Sequence, residues 1–159
     1  MSANTTGINE TIQVKGGFYI GDPCYALRSD LYEKWCDWGC EREKTEGHYC
    51  NDGKFVHDGK DIMICDSTYL GDGWYDGTER DYPVDAGCLA IIPLEFCDPS
   101  KDFSDYGLIV KDYNGEVRCI TDGDTGRFLF TWDSDDFGGS ETIWTAPSDA
   151  DEDADEDED

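Results

Sequence analysis

Residues 106–120, YGLIVKDYNGEVRCI, place two β-prone runs on either side of Asn114-Gly115. Asn-Gly is the preferred pair for a type I′ turn, whose twist matches that of the strands it joins, so this segment predicts a β-hairpin. TDGDTG then turns the chain into RFLFTW, where Phe128, Phe130 and Trp132 share a face, and ETIWT supplies a last strand. The second half therefore reads as an antiparallel meander. Upstream, Ile12, Val14, Phe18 and Ile20 alternate along one face, predicting a half-buried strand bulged at Gly16-Gly17 and stopped by Gly21-Asp22-Pro23. DIMICDS (61–67) is strand-like, GDGWYDGTERDYPV is glycine-rich and aromatic, and GCLAIIPLEF is a continuous apolar run short enough for a central strand. Residues 41–60 are polar and read as loops or a hairpin around KFVHDGK.

One helix interrupts this pattern. In SDLYEKWCDWG, Ser29 is a plausible N-cap, Asp30 and Glu33 favour the first turns, and Gly39 can close the end. Leu31, Trp35 and Trp38 fall at i, i+4 and i+7, which buries one face. The expected fold is mainly β within an α+β class: an antiparallel sheet or meander, closed as a sandwich or a partly open barrel, with one short amphipathic helix. A flexible N-terminus (1–10), a single globular domain (11–147) and a disordered acidic tail (148–159) are the expected divisions.

Charge narrows the partners. The chain of 159 residues carries 38 Asp and Glu against 12 Lys and Arg, a net charge of -26. Residues 149–159, DADEDADEDED, hold nine of the acids; setting these aside leaves 29 against 12, a net charge of about -17 for the rest. A block of like charges cannot bury enough apolar surface to order itself. Such a field keeps a protein soluble and repels nucleic acid and anionic membrane, so direct binding to DNA or RNA is not expected and a basic partner is the natural complement. Salt adaptation would also make a chain acidic, but seven lysines to five arginines and eight cysteines speak against it. MSANTTGINETIQV has neither the basic nor the apolar region of a secretory leader, and no run reaches the length of a membrane span, so the expected location is cytoplasmic. The eight cysteines are then expected as thiols.

Few residues look like chemistry. A nucleophilic Cys24 would need a base, and only His48 and His57 are available, neither in a nucleophile signature. Asp22 and Pro23 read instead as a turn, with Cys24 and Tyr25 packing beneath it. Cys36, Cys40, His48, Cys50 and His57 lie within 22 residues and form a weak zinc set, but their spacing fits no common finger and buried thiols account for them better. The Asp/Gly runs at 71–77, 122–126 and 133–141 resemble fragments of calcium loops, but Phe137 stands where a ligand is needed and Asp-Gly is ordinary turn chemistry. No phosphate-binding loop or paired-histidine motif occurs, and no metal or other cofactor is expected.

GDPCY, GDGWY…YPV and DAGCLAIIPLEFC, taken in order over residues 14–97, resemble a loosely defined family of small bacteriophage and bacterial proteins of unknown function. The chain departs from that pattern by inserting DGTERD between GDGWY and YPV, and by its acidic tail. The resemblance implies a viral or mobile-element origin, a β-rich fold, and proximity of GDPCY to GDGWY along one concave surface. Asp22, Cys24, Tyr25, Asp72, Trp74 and Tyr75 are accordingly the candidate binding residues. The expected function is non-enzymatic: an acidic accessory protein that inhibits a basic nucleic-acid-binding host protein, such as a defence nuclease, by imitating phosphate spacing. The alternative is a small-molecule or ion-binding module built from the GDPCY and GDGWY loops.

Overall fold

A computed structural model describes residues 7–47, 52–133 and 138–146. The expected tail, the first six residues, and His48 and Cys50 lie outside the described residues. The chain forms two antiparallel sheets and one long helix, mainly β and not a closed barrel. Sheet A has six strands, β1 (Asn9–Val14), β9 (Gly115–Asp122), β10 (Arg127–Asp133), β11 (Gly138–Trp144), β5 (Gly73–Gly77) and β6 (Asp81–Val84), in that spatial order. Sheet B has five, ordered β3 (Gly53–His57), β4 (Lys60–Ser67), β7 (Cys88–Pro93), β2 (Gly17–Gly21) and β8 (Gly107–Lys111).

Sheet B is the middle layer. Its inner face meets sheet A around Phe18, Ile20, Ile64, Leu89 and Ile91, opposite Ile12, Val117, Phe128, Phe130 and Ile143. Its other face carries Tyr19, Met63, Cys65, Ala90 and Ile92 against Leu31 and Trp35 of helix α1 (Ser29–Glu46). With apolar layers on both sides, alternate residues of one strand enter different cores, and every position of β7 is buried. That is why CLAIIP reads as an unbroken apolar run. In sheet A, β9 buries one face only: Val117, Cys119 and Thr121 are buried while Glu116 and Arg118 are exposed.

Three expectations are corrected. The alternating segment 11–20 is two strands: β1 pairs with β9 in sheet A, and β2 pairs with β7 and β8 in sheet B. The chain crosses between the sheets at Lys15-Gly16, and the alternation persists because both strands feed the same inter-sheet core. Asn114-Gly115 is likewise a crossing, since β8 belongs to sheet B and β9 to sheet A. Buried Tyr113 plugs this corner, and the two crossings are stapled by the Gly17 N–H to the Tyr113 carbonyl (2.9 Å) and the Gly16 N–H to Asn114 Oδ1 (2.9 Å). Finally, the helix does not stop at Gly39. It runs through that buried glycine to Glu46 and ends on Gly47 in the left-handed conformation (φ 86°). A mid-helix glycine costs only about 1 kcal/mol, and the good helix formers of CEREKTE continue past it.

Candidate functional site

Gly21-Asp22-Pro23-Cys24-Tyr25 closes β2. A Cβ on Gly21 would lie 2.5 Å from the Tyr19 hydroxyl, so the ring approaches the backbone as only glycine permits. Pro23 opens a 3-10 turn, Pro23–Tyr25, with its nitrogen where no donor is needed. Asp22 is fully buried and saturated. Its Oδ1 accepts the Cys24 N–H (2.8 Å), and its Oδ2 accepts the N–H groups of Asp85 (2.6 Å) and Ala86 (2.7 Å). The Tyr19 hydroxyl donates to the Asp22 carbonyl (2.8 Å). A buried carboxylate is tolerable only with such a donor set, and here it ties the GDPCY corner to the turn after β6.

That turn continues to GDGWY. The Gly87 carbonyl accepts the Thr68 N–H (3.0 Å), the Thr68 hydroxyl donates to the Gly71 carbonyl (2.6 Å), and the Tyr75 hydroxyl donates to the same carbonyl (2.7 Å). The two sequence loops are therefore connected through residues 85–87. Among the six candidates Asp22 and Tyr75 are buried anchors, Cys24 and Tyr25 are half-buried, and Asp72 and Trp74 are exposed. Tyr25 stacks on Tyr106 at 4.2 Å with the rings 14° apart. Burial, then the adjacent Asp22 carboxylate, push the Cys24 thiol well above its ordinary value, so at neutral pH it is no thiolate. A cavity of about 470 Å³ beside Cys24 is lined by Ser29, Tyr32, Glu33, Cys36 and Lys101, with no contribution from 71–77.

The remaining sequence candidates disperse. Cys36 is half-buried on α1 near Cys24, Cys40 is exposed, and His57 stacks on Phe55 with its Nε2 3.6 Å from the Asp58 carboxylate. Among the described residues no group of three His, Cys, Asp or Glu is arranged to hold a metal ion. In 122–126 the Asp124 N–H bonds Asp122 Oδ1 (2.9 Å) and the Gly126 N–H bonds the Asp122 carbonyl (2.7 Å), which is turn chemistry.

Two carboxylates were missed by sequence reasoning. Asp66, at the end of β4, accepts the Thr121 hydroxyl from the other sheet (2.6 Å) and lines a cavity of about 360 Å³ with Asp52, Tyr69, Asp122 and Phe128. Burial, helped by the neighbouring Asp52 carboxylate, outweighs the Thr121 hydrogen bond and pushes Asp66 up to about 6. Glu141 is fully buried on β11, where it accepts the Tyr82 hydroxyl and the Glu79 N–H (3.0 Å), holding the β5–β6 loop. An acid on the buried side of a strand's alternation was the available signal for Glu141; its partners lie 59 and 62 positions away. No helix among the described residues is long and apolar enough to cross a membrane. Comparison with family models, with curated proteins and with solved structures finds no match to this chain.

Proposed function

We propose that this chain is a non-enzymatic interaction protein that offers an anionic surface to a basic, nucleic-acid-binding partner, as a phage accessory factor acting on a host protein would. The supporting observation is how little of its charge is neutralised internally. Among the described residues three lysine or arginine ion pairs form, Arg28–Asp30, Lys44–Glu41 and Lys54–Asp61, and His57 lies 3.6 Å from Asp58 in a contact that is ionic only when the imidazole is protonated. The two fully buried carboxylates, Asp22 and Glu141, are saturated by donors and serve the fold. Apart from Asp66, which is held by Thr121 beside its cavity, most of the other described carboxylates are exposed, Asp37, Asp76, Asp81 and Glu116 among them.

The test is capture from lysate of a candidate host at low and high salt, with DNA as competitor. The Debye length falls from about 10 Å at 0.1 M to about 3 Å at 1 M, so a contact made by surface carboxylates dissociates, and DNA competes for the same basic surface. A partner retained at 1 M salt and indifferent to DNA overturns the reading. The second reading, a small-ligand module, draws on the cavity beside Cys24, whose volume falls within the usual range for ligand sites. A ligand there would be indifferent to salt and to removal of residues 149–159.

A further inference from the structure

The outer face of sheet A holds an arrangement the fold itself does not use. Tyr75, Tyr82 and Ile143 point into the inter-sheet core. Strand alternation therefore turns Trp74, Asp76, Asp81 and Trp144 to the opposite side, away from both cores. In the register Trp144 faces Asp76 across β11 and β5, and Asp76 faces Asp81 across β5 and β6. Trp74, two positions from Asp76 on the same face, completes the group. Both indoles are open to solvent, Trp74 at 71% and Trp144 at 49%.

Two exposed carboxylates directly opposite each other on paired strands destabilise the pairing unless a cation joins them. None of the ion pairs among the described residues involves Asp76 or Asp81. The nearest cation in sequence, Arg80, is spent on backbone: its guanidinium donates to the carbonyls of Asp81 (2.9 Å), Ser104 (3.1 Å), Asp105 (2.7 Å) and Gly107 (2.7 Å). Arg127, across β10 on the far side of Trp144, has Asp122 as its other cross-strand neighbour.

We propose that this face, two carboxylates walled by Trp74 and Trp144, is where an arginine-rich segment of the basic partner docks; the proposal rests on the function proposed above. A guanidinium is flat enough to stack on an indole while its fork donates to a carboxylate, and a lysine ammonium matches only the charge. Other occupants are opposed by charge. A second copy would bring Asp76 and Asp81 against their own kind. The chain's own residues 149–159, with nine acids and joined to the fold a few residues beyond Trp144, would do the same.

Labelled oligoarginine and oligolysine peptides of equal length, titrated by fluorescence anisotropy at low salt, test this. Trp74→Ala and Trp144→Ala each weaken oligoarginine binding about two- to five-fold, the range of an exposed cation–π contact. Asp76→Asn weakens it more than Asp37→Asn, which removes the same charge from an exposed position on α1, on the far side of sheet B. Oligoarginine binds more tightly than oligolysine. Circular dichroism checks each fold, and the Asp76/Asp37 comparison decides the matter should a Trp variant misfold. Equal loss in Asp76→Asn and Asp37→Asn, with the Trp variants unchanged, overturns this site and leaves the basic-partner reading standing. Failure of the unaltered protein to bind either peptide overturns the basic-partner reading and the site with it.

Discussion

At the scale of single residues, the carboxylates divide by the company they keep. Asp22 accepts three backbone N–H groups. In Asp22→Asn one oxygen becomes an NH2, which must face a donor whichever way the amide turns. The expected loss is about 1–3 kcal/mol, the cost of an unsatisfied buried group, against a smaller loss for Cys24→Ser; urea denaturation compares them. A folded but inactive Cys24→Ser would instead give the thiol a chemical role. Asp66 works in the other direction. With its carboxyl raised to about 6 in the folded state and near 3.9 when unfolded, the native protein holds the proton more tightly over that interval. Its contribution is therefore full below about pH 4 and is lost as pH rises through about 6, by up to about 3 kcal/mol. Asp66→Asn keeps an acceptor for the Thr121 hydroxyl and cannot ionise. Its stability should fall less than that of the unaltered protein between pH 4 and 6, and a parallel fall in both would remove Asp66 as the cause.

Among the elements, turn chemistry found one hairpin, around KFVHDGK, and misplaced another, at Asn114-Gly115. Asp58 and Gly59, joining β3 to β4, both have positive φ (54° and 74°), as a type I′ hairpin requires. A Cβ on Gly59 would touch nothing within 4 Å, so Gly59→Ala should cost only the conformational penalty, about 1–2 kcal/mol, readable from thermal unfolding. Asn114-Gly115 carries the stronger sequence signal yet makes no hairpin, because its flanking strands are claimed by different sheets. The same limit governs β1 and β2. Alternation records which side of a strand meets apolar surface, and Ile12, Val14, Phe18 and Ile20 do share that surface; it carries no record of which strand lies alongside. The central position of β7, the buried face of α1 and the meander from β9 to β11 were legible because each follows from local pattern. Of the candidate sites, the GDPCY turn and Trp74 were legible as features. The clamp from Asp22 to a turn 63 positions away, and the Asp76–Asp81 opposition, exist only once strands are paired.

For the whole molecule, charge sets a condition on stability. A net charge of -26 repels itself most in the compact state, and added salt screens it. The melting temperature should therefore climb between low salt and about 0.5 M NaCl, and less steeply once 149–159 are removed; a fall on adding salt would mean that ion pairs outweigh repulsion. The stapled corners bear on a different matter, the order in which the chain can become a protein during synthesis. Gly16 and Asn114 are 98 positions apart, and β1 pairs with β9 in that same distant region, its one strand partner among the described residues. Loop closure over such a span must precede its reward, which slows folding of sheet-rich topologies. While the ribosome is still making the middle of the chain, β1 has no edge to join and one flank of β2 stands open. Helix α1, β3, β4 and β7 can assemble around β2 first, and β1, although made before all of them, is among the last to be seated.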